Sequence, residues 1–132
     1  MITAIDTSVL IAISKQEASY EVWYNLLSQA RDEGTLVVCD VVSAEFFSSV
    51  MDSGAVRGFF ADLDISQVNT SQKASFLAGR IFRNYRNKGG PRQHLIPDFL
   101  IAAHAQVDCD RLAAADRGYL RTWFPDLPIL RP

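Results

Sequence analysis

The sequence predicts an α/β fold, in which a mainly parallel central sheet carries helices on both faces. Short β-branched runs alternate along the chain with segments whose apolar residues recur at every third or fourth position. The run TLVVC (35–39) is continuous and β-branched, which is typical of a strand buried on both faces. Strands that alternate with helices favour a parallel sheet covered on both sides.

The first half of the chain shows strand and helix signals in turn. A short apolar segment opens the chain, and behind it Tyr20, Trp23 and Leu27 lie at helical spacing in an amphipathic helix that ends at Gly34. The predicted elements are, in order, a strand at 1–5, helices at 8–15 and 19–34, a strand at 35–39, helices at 41–51 and 54–63, and a strand at 64–68.

The second half continues the alternation. Ser71 caps a long helix that runs through Tyr85, and NKGGPRQ indicates a loop. Pro97 lies near the start of the next helix, where proline is tolerated. The predicted elements are a helix at 71–85, a loop at 87–93, a helix at 96–106, a strand at 111–116, a helix at 118–124 and a strand at 127–130.

Composition and charge exclude several classes of protein. The 132 residues, 48% hydrophobic and 21% charged, predict a single globular domain over 1–132. The net charge of −2 gives no bulk positive field, so nucleic-acid binding must rest on a local patch. The apolar stretch 2–13 contains Asp6 and has no basic region before it, so we expect neither a signal peptide nor a membrane span. Cys39 and Cys109 are too few for a disulfide framework and indicate a reduced, cytoplasmic protein, although they leave a single bridge open.

Four carboxylates are candidates for a functional site. Asp6 and Asp116 end predicted strands, at the edge where open parallel sheets bind ligands. Asp98 shares an apolar helical stripe with Ile101, and Glu45 lies at the margin of an apolar helix face. Taken singly, each aspartate is equally well explained as a helix cap worth ~1 kcal/mol, and the glutamate can reach water. Their joint placement favours one shared site.

Gathered carboxylates repel one another, which indicates what the site would bind. At an effective dielectric of 20, two unit charges ~4–5 Å apart cost roughly 3–4 kcal/mol, so the cluster needs protons or a divalent cation. Oxygen-only ligands suit Mg²⁺ or Mn²⁺, and the sequence offers zinc no Cys/His spacing. Such metal sites hydrolyse phosphodiesters, so cleavage of a nucleic-acid backbone is the sharpest hypothesis.

Four short motifs run in order over nearly the whole chain: IDTSVL (5–10), VVSAEF (41–46), LIPDFLIAAHA (95–105) and LAAADRGYL (112–120). Together they resemble PIN-domain ribonucleases, most of all the VapC-like toxins of type II toxin–antitoxin pairs. The resemblance implies a PIN-like, three-layer fold and a metal-dependent endoribonuclease. Its catalytic residues would be Asp6, Glu45, Asp98 and Asp116, with the three aspartates as ligands of Mg²⁺ or Mn²⁺.

Two positions depart from that pattern. Ser8 stands where such toxins often have asparagine, and Ala114 stands where they often have threonine or serine. We expect Thr7 and Ser8 to support the acidic site. The missing hydroxyl at position 114 leaves the role of Asp116 and the rate of catalysis open.

Partners are indicated by charge and by surplus aromatic residues. A basic strip of five residues is a candidate for binding RNA phosphates, or else a solvated helix face; its members are Arg80, Arg83, Arg86, Lys88 and Arg92. The paired phenylalanines at 46–47 and 59–60 cannot all face one core. With the resemblance, they predict a homodimer and a groove for an antitoxin protein.

Two other classes of α/β protein fit the residues less well. A phosphoryl-accepting receiver domain needs an acidic pair after the first strand and a late lysine, but the chain has Asp6 alone there and no lysine beyond Lys88. A haloacid-dehalogenase-type phosphatase needs aspartate at position 8, where Ser8 stands. His104 is interpreted as a packed histidine and His94 as a candidate substrate contact. The stronger alternative is a PIN domain that binds RNA or a protein partner without cleaving.

Overall fold

Five parallel strands form the sheet at the centre of the protein. The computed structural model describes residues 1–50, 53–115 and 118–132. Within these ranges the strands follow the order β3-β2-β1-β4-β5, and every neighbouring pair is parallel. The strands are β1 (Ile2–Ile5), β2 (Thr35–Cys39), β3 (Ile65–Val68), β4 (Arg111–Ala113) and β5 (Ile129–Leu130).

Helices connect the strands, as parallel pairing requires. Among the described residues they are α1 (Thr7–Ser14), α2 (Tyr20–Glu33), α3 (Asp40–Ser49), α4 (Ser53–Leu63), α5 (Gln72–Asn87), α6 (Ile96–Asp108) and α7 (Tyr119–Trp123). Gly34 ends α2 beside the amino terminus, where a Cβ atom would lie 1.8 Å from the carbonyl oxygen of Met1. Only glycine fits this junction without a shift of the backbone.

The central strands are covered on both faces. Thr3, Ala4 and Ile5 are all buried, although successive side chains of a strand point to opposite faces of the sheet. Leu36 to Cys39 in β2 are buried in the same way. Phe46, Phe99 and Phe124 are the largest fully buried side chains of the core. The predicted α/β class, with a parallel sheet between helical layers, is confirmed.

The largest departure from the predicted elements is at β4. We expected a strand over 111–116, but β4 ends at Ala113 and Asp116 lies outside the described residues. The ladder ends because both neighbouring strands end there: Ala113 pairs with Ile5 on one side and Leu130 on the other. Similarly, β5 is shorter than the predicted 127–130, since Pro128 has no N–H to donate.

The two cysteines are free thiols, so the open possibility of a bridge is not realised. Burial raises the pKa of Cys39, and burial together with nearby carboxylates raises the pKa of Cys109 to about 12. Both thiols therefore stay protonated at neutral pH. None of the helices among the described residues is both long and apolar enough to cross a membrane.

Candidate acidic active site

Asp6 lies between the end of β1 and the start of α1. Its backbone N–H donates to the carbonyl of Ala113 at 2.9 Å, which ties it to the end of β4. Its Oδ2 accepts from the backbone N–H of Ser8 at 3.2 Å and from the Ser8 hydroxyl. Asp6 is thus the N-cap of α1 and is only 8% exposed. The cap interpretation of this residue is correct, and it leaves the carboxylate at the carboxyl edge of the sheet.

Glu45 is held from the neighbouring helix. The Thr7 hydroxyl donates to Oε1 of Glu45 at 2.7 Å, across 38 residues of sequence. Glu45 is half-buried on α3. The hydrogen bond from Thr7 therefore holds its side chain against α1 instead of leaving it extended into solvent. Thr7 and Ser8, the two residues predicted to support the site, donate hydrogen bonds to Glu45 and Asp6 respectively.

Asp98 lies in the first turn of α6. Its Oδ2 accepts from the backbone N–H of Leu95 at 3.2 Å and lies 3.6 Å from Nδ1 of His94. The His94 ring is stacked on Tyr119, with centroids 4.1 Å apart and planes at 25°. These contacts fix the carboxylate from one side. Its side chain keeps 23% of its surface exposed.

Three of the four predicted carboxylates line one cleft. This acidic cleft has a volume of about 340 Å³, and its lining residues are Asp6, Thr7, Ser8, Ile11, Glu17, Glu45 and Asp98. It brings together residues from α1 and its two ends, from α3 and from α6, which are distant in sequence. The fourth carboxylate, Asp116, lies outside the described residues.

Glu17 is a lining residue that the sequence did not indicate. It is exposed and follows Gln16, whose φ of 50° turns the chain back after α1. The Glu17 N–H then donates to the carbonyl of Ala12 at 2.9 Å. A positive φ at a residue other than glycine leaves no pattern in the sequence, so this turn could not have been anticipated.

The donor set of the acidic cleft fits a hard divalent cation. Its charged groups are all carboxylates, and oxygen ligands suit Mg²⁺ or Mn²⁺. Among the residues that the structure describes, no three His, Cys, Asp or Glu side chains are grouped closely enough to hold a metal ion. The chemistry of the cleft therefore fits, while the described carboxylates alone do not complete a coordination sphere.

Comparison with known proteins places the chain in a family. The profile of the PIN domain matches residues 3–124. The chain belongs to the PIN-domain family. No curated protein matches its sequence closely enough to count as a relative.

Solved structures share the fold of this PIN domain. A chain of VapBC2 from Rickettsia felis, bound to a DNA fragment from its promoter, matches with a TM-score of 0.76 at 22% identity, over 98% of each chain. VapBC-1 from nontypeable Haemophilus influenzae matches with a TM-score of 0.70 at 17% identity, over 98% of this chain and 97% of that one. FitAcB from Neisseria gonorrhoeae matches with a TM-score of 0.65 at 18% identity, over 100% and 98%. At these identities the likeness shows the fold.

The basic strip of this PIN domain is divided into parts. Arg80 and Arg83 line an open groove on α5, here called the α5 groove, whose lining residues are Ser75, Phe76, Gly79, Arg80, Arg83, Asn84 and Asn87. The Arg86 guanidinium lies 6.0 Å over the ring of Phe82, and the Lys88 ammonium 5.7 Å over Trp123. Arg92 is exposed in the loop. The five predicted cations therefore have different surroundings: two line the α5 groove, two lie over aromatic rings and one is exposed in the loop.

The aromatic pairs of the PIN domain split between core and surface. Phe46 is fully buried and stacks on the half-buried Phe60, with centroids 5.9 Å apart and planes at 5°. Phe47 is 46% exposed beside them.

His104 is packed as predicted, at 2% exposure, and burial lowers its pKa.

Proposed function

We propose that this PIN domain is a metal-dependent endoribonuclease that hydrolyses RNA phosphodiester bonds, and that it is the toxin of a toxin–antitoxin pair. The observation that carries the proposal is the acidic cleft, which Asp6, Glu45 and Asp98 line together in a PIN-family fold. In this proposal residues 1–132 form one domain, because strands from β1 to β5 share a single sheet.

The acidic residues would divide the work of hydrolysis. Asp6 and Asp98, together with Asp116, would hold Mg²⁺ or Mn²⁺ through carboxylate oxygens. When bound, such an ion supplies Lewis-acid stabilisation of the phosphodiester oxygens and acidifies water. Glu45, whose Oε1 is held by the Thr7 hydroxyl, would accept a hydrogen bond from the attacking water and orient it. His94 would contact the substrate next to Asp98, since its Nδ1 lies 3.6 Å from Oδ2 of Asp98.

Cations would supply the affinity for RNA. The chain carries a net charge of −2, so its attraction for a polyanion must be local. Arg80 and Arg83 line one groove, and Arg86, Lys88 and Arg92 extend the positive charge toward the loop after α5. This arrangement supports phosphate binding along the end of α5.

An antitoxin protein would be the regulating partner. The structural matches include the VapBC2 and FitAcB assemblies, and Phe47 is an exposed apolar anchor on the same helix as Glu45. A small partner that fills an apolar groove there and presents arginine to the acidic cleft would replace the charge of the metal. A homodimer in the cytoplasm completes the proposal.

The alternative is a PIN domain that binds RNA or a partner without cleaving. Ala114 favours it: this residue is 2% exposed, just before Asp116, and has no hydroxyl with which to orient a ligand. Retained RNA binding with no turnover in any divalent metal would support the alternative.

The test is cleavage of a mixed RNA pool by the purified chain in Mg²⁺, in Mn²⁺ and in EDTA. The proposal expects defined cleavage products in either metal and none in EDTA. Co-expression with the protein of a neighbouring small reading frame is expected to give a stable complex without nuclease activity. Cleavage that persists in EDTA would contradict the metal mechanism, and a complex as active as the free chain would contradict the antitoxin role.

A further inference from the structure

The outer face of α5 carries an exposed aromatic ring next to two cations. Phe76 is 69% exposed, the highest value among the exposed large apolar side chains of the described residues. Single exposed apolar residues are common on protein surfaces. Here, however, the ring lies at helical spacing from Arg80 and Arg83, on one wall of the α5 groove.

The α5 groove is open and free of negative charge. Its volume is about 570 Å³, and its lining residues include two arginines and two asparagines but no carboxylate. At Gly79, between the ring and Arg83 on the same helix, an added Cβ atom would meet no atom within 4 Å, so this face of α5 is open to solvent. In the part of the chain described, neither Arg80 nor Arg83 forms an ion pair. Two unpaired guanidinium groups and a bare aromatic face are complementary to a polyanion with flat bases.

We propose that the α5 groove binds single-stranded RNA, with one base stacked on Phe76 and the adjoining phosphates on Arg80 and Arg83. The inference rests on the proposed function and names the form of RNA and the residue that stacks with it. A duplex keeps its bases stacked on one another, so only an unpaired base can offer its face to the ring. The asparagine amides beside the arginines add donors and acceptors for base edges or ribose.

The α5 groove runs along the helix toward the end that lies nearest to Asp98. From Phe76 to Arg83 the helix advances ~10 Å, at about 1.5 Å per residue. Two residues further on, the Tyr85 ring lies 6.3 Å from that of His94, whose Nδ1 is 3.6 Å from Asp98. These contacts place the carboxyl end of α5 near Asp98, but the Tyr85 ring is buried at 3% exposure on the helix face opposite Phe76.

The experiment measures RNA binding in EDTA, so that no cleavage occurs. A labelled single-stranded oligoribonucleotide and a duplex of the same length are titrated with the parent chain and with Phe76→Ala, Phe76→Leu and Phe76→Trp. Val22→Ala is the matched control, because Val22 is 50% exposed on a different helix. Size-exclusion chromatography of every variant reports its oligomeric state.

Loss of one base–aromatic stack is expected to weaken single-strand binding by roughly 5–150-fold in Phe76→Ala, and similarly in Phe76→Leu. Phe76→Trp is expected to bind like the parent, and its fluorescence should be quenched by the single strand. Binding of the duplex should be the same for the Phe76 variants as for the parent. Val22→Ala should bind both RNAs like the parent.

Three results would overturn the inference. Parent-like single-strand binding by Phe76→Ala would do so and leave the proposed function intact. Full binding by Phe76→Leu would show an apolar contact without stacking, and a change of oligomeric state in Phe76→Ala would make the face a protein interface. A folded parent that binds no RNA at all would contradict the proposed function itself.

Discussion

The Thr7 hydroxyl donates a 2.7 Å hydrogen bond to Oε1 of Glu45 and so joins the first turn of α1 to α3. The bond connects the residue after one proposed metal ligand to the proposed water-orienting carboxylate. The DTS motif (6–8) therefore contributes to the acidic cleft and is not only a local turn.

Replacing Thr7 by valine should therefore affect both stability and cleavage. Valine keeps the shape of threonine but leaves the half-buried Glu45 carboxylate without its donor, which costs ~1–3 kcal/mol. Thr7→Ser keeps the hydroxyl and is expected to stay close to the parent. Urea denaturation and the RNA cleavage rate measure the two effects. Equal stability and equal rates for the valine and serine variants would show that the bond contributes nothing.

Two substitutions of Asp6 should separate its role as a helix cap from its proposed role as a metal ligand. Asparagine caps a helix as well as aspartate, and it removes a charge from a cleft of carboxylates, so Asp6→Asn should be at least as stable as the parent in EDTA. Asp6→Ala loses the cap and should lose ~1 kcal/mol. Mn²⁺ at a hundred times its dissociation constant should stabilise the parent by roughly 2.7 kcal/mol and neither variant appreciably.

Thermal unfolding with and without Mn²⁺ provides the comparison. If Mn²⁺ stabilises Asp6→Asn as much as it stabilises the parent, Asp6 is a helix cap and not a metal ligand.

The elements that the sequence predicted well are those whose signal is local. TLVVC is β2 residue for residue, because a short apolar run beside Gly34 has no competing helical register. The long helix capped by Ser71 also formed, with the Ser71 hydroxyl accepting from the N–H of Ala74 at 3.1 Å. Asp6 could be placed at the carboxyl edge of the sheet because it follows β1, whereas Glu45 and Asp98 were grouped with it from the apolar faces of their helices and from the family resemblance.

What the sequence could not show depends on contacts between distant segments. The end of β4 at Ala113 is set by the lengths of β1 and β5, and Glu17 enters the cleft through a turn at Gln16. The basic strip likewise gave no sign that the Lys88 ammonium would lie over the ring of Trp123, which α7 brings from a distant part of the chain.

We therefore predict that Arg80 and Arg83 act in RNA binding, whereas Arg86 and Lys88 contribute more to stability. Substituting glutamine for both Arg80 and Arg83 should flatten the salt dependence of single-strand binding by about 1.4 in the logarithmic slope, at ~0.7 per phosphate contact. The same change at Arg86 and Lys88 should move the slope less and lower stability by ~0.5–1 kcal/mol per lost cation–π contact.

Arg57→Gln is the control for charge alone, because Arg57 is exposed on α4 and away from the strip. Identical slopes for the parent and the Arg80/Arg83 double variant would mean that these residues are only a solvated face.

His104 should make folding sensitive to acid. Burial lowers its pKa, and the nearby carboxylates of Asp108 and Asp40 only partly oppose that effect. The unfolded chain then binds a proton near pH 6.5, where the folded protein does not. Stability is therefore lost as pH falls below ~6.5 toward the lower folded pKa, by at most about 1.4 kcal/mol per pH unit.

His104→Leu removes this group and should flatten the curve between pH 6.5 and 5. Urea midpoints of the parent and the variant across that range provide the measurement. Parallel curves would show that another group causes the acid sensitivity.

The most direct test of the account is the cleavage rate of a single-stranded RNA by Asp98→Asn at saturating Mn²⁺. Asparagine keeps the oxygen that accepts from the N–H of Leu95, so the start of α6 should stay intact while the charge is lost. Asp62→Asn, an exposed aspartate on α4, is the matched control. The account predicts a loss of about a hundredfold or more for Asp98→Asn and none for Asp62→Asn. Undiminished cleavage by a folded Asp98→Asn variant would contradict the claim that the acidic cleft is the active site.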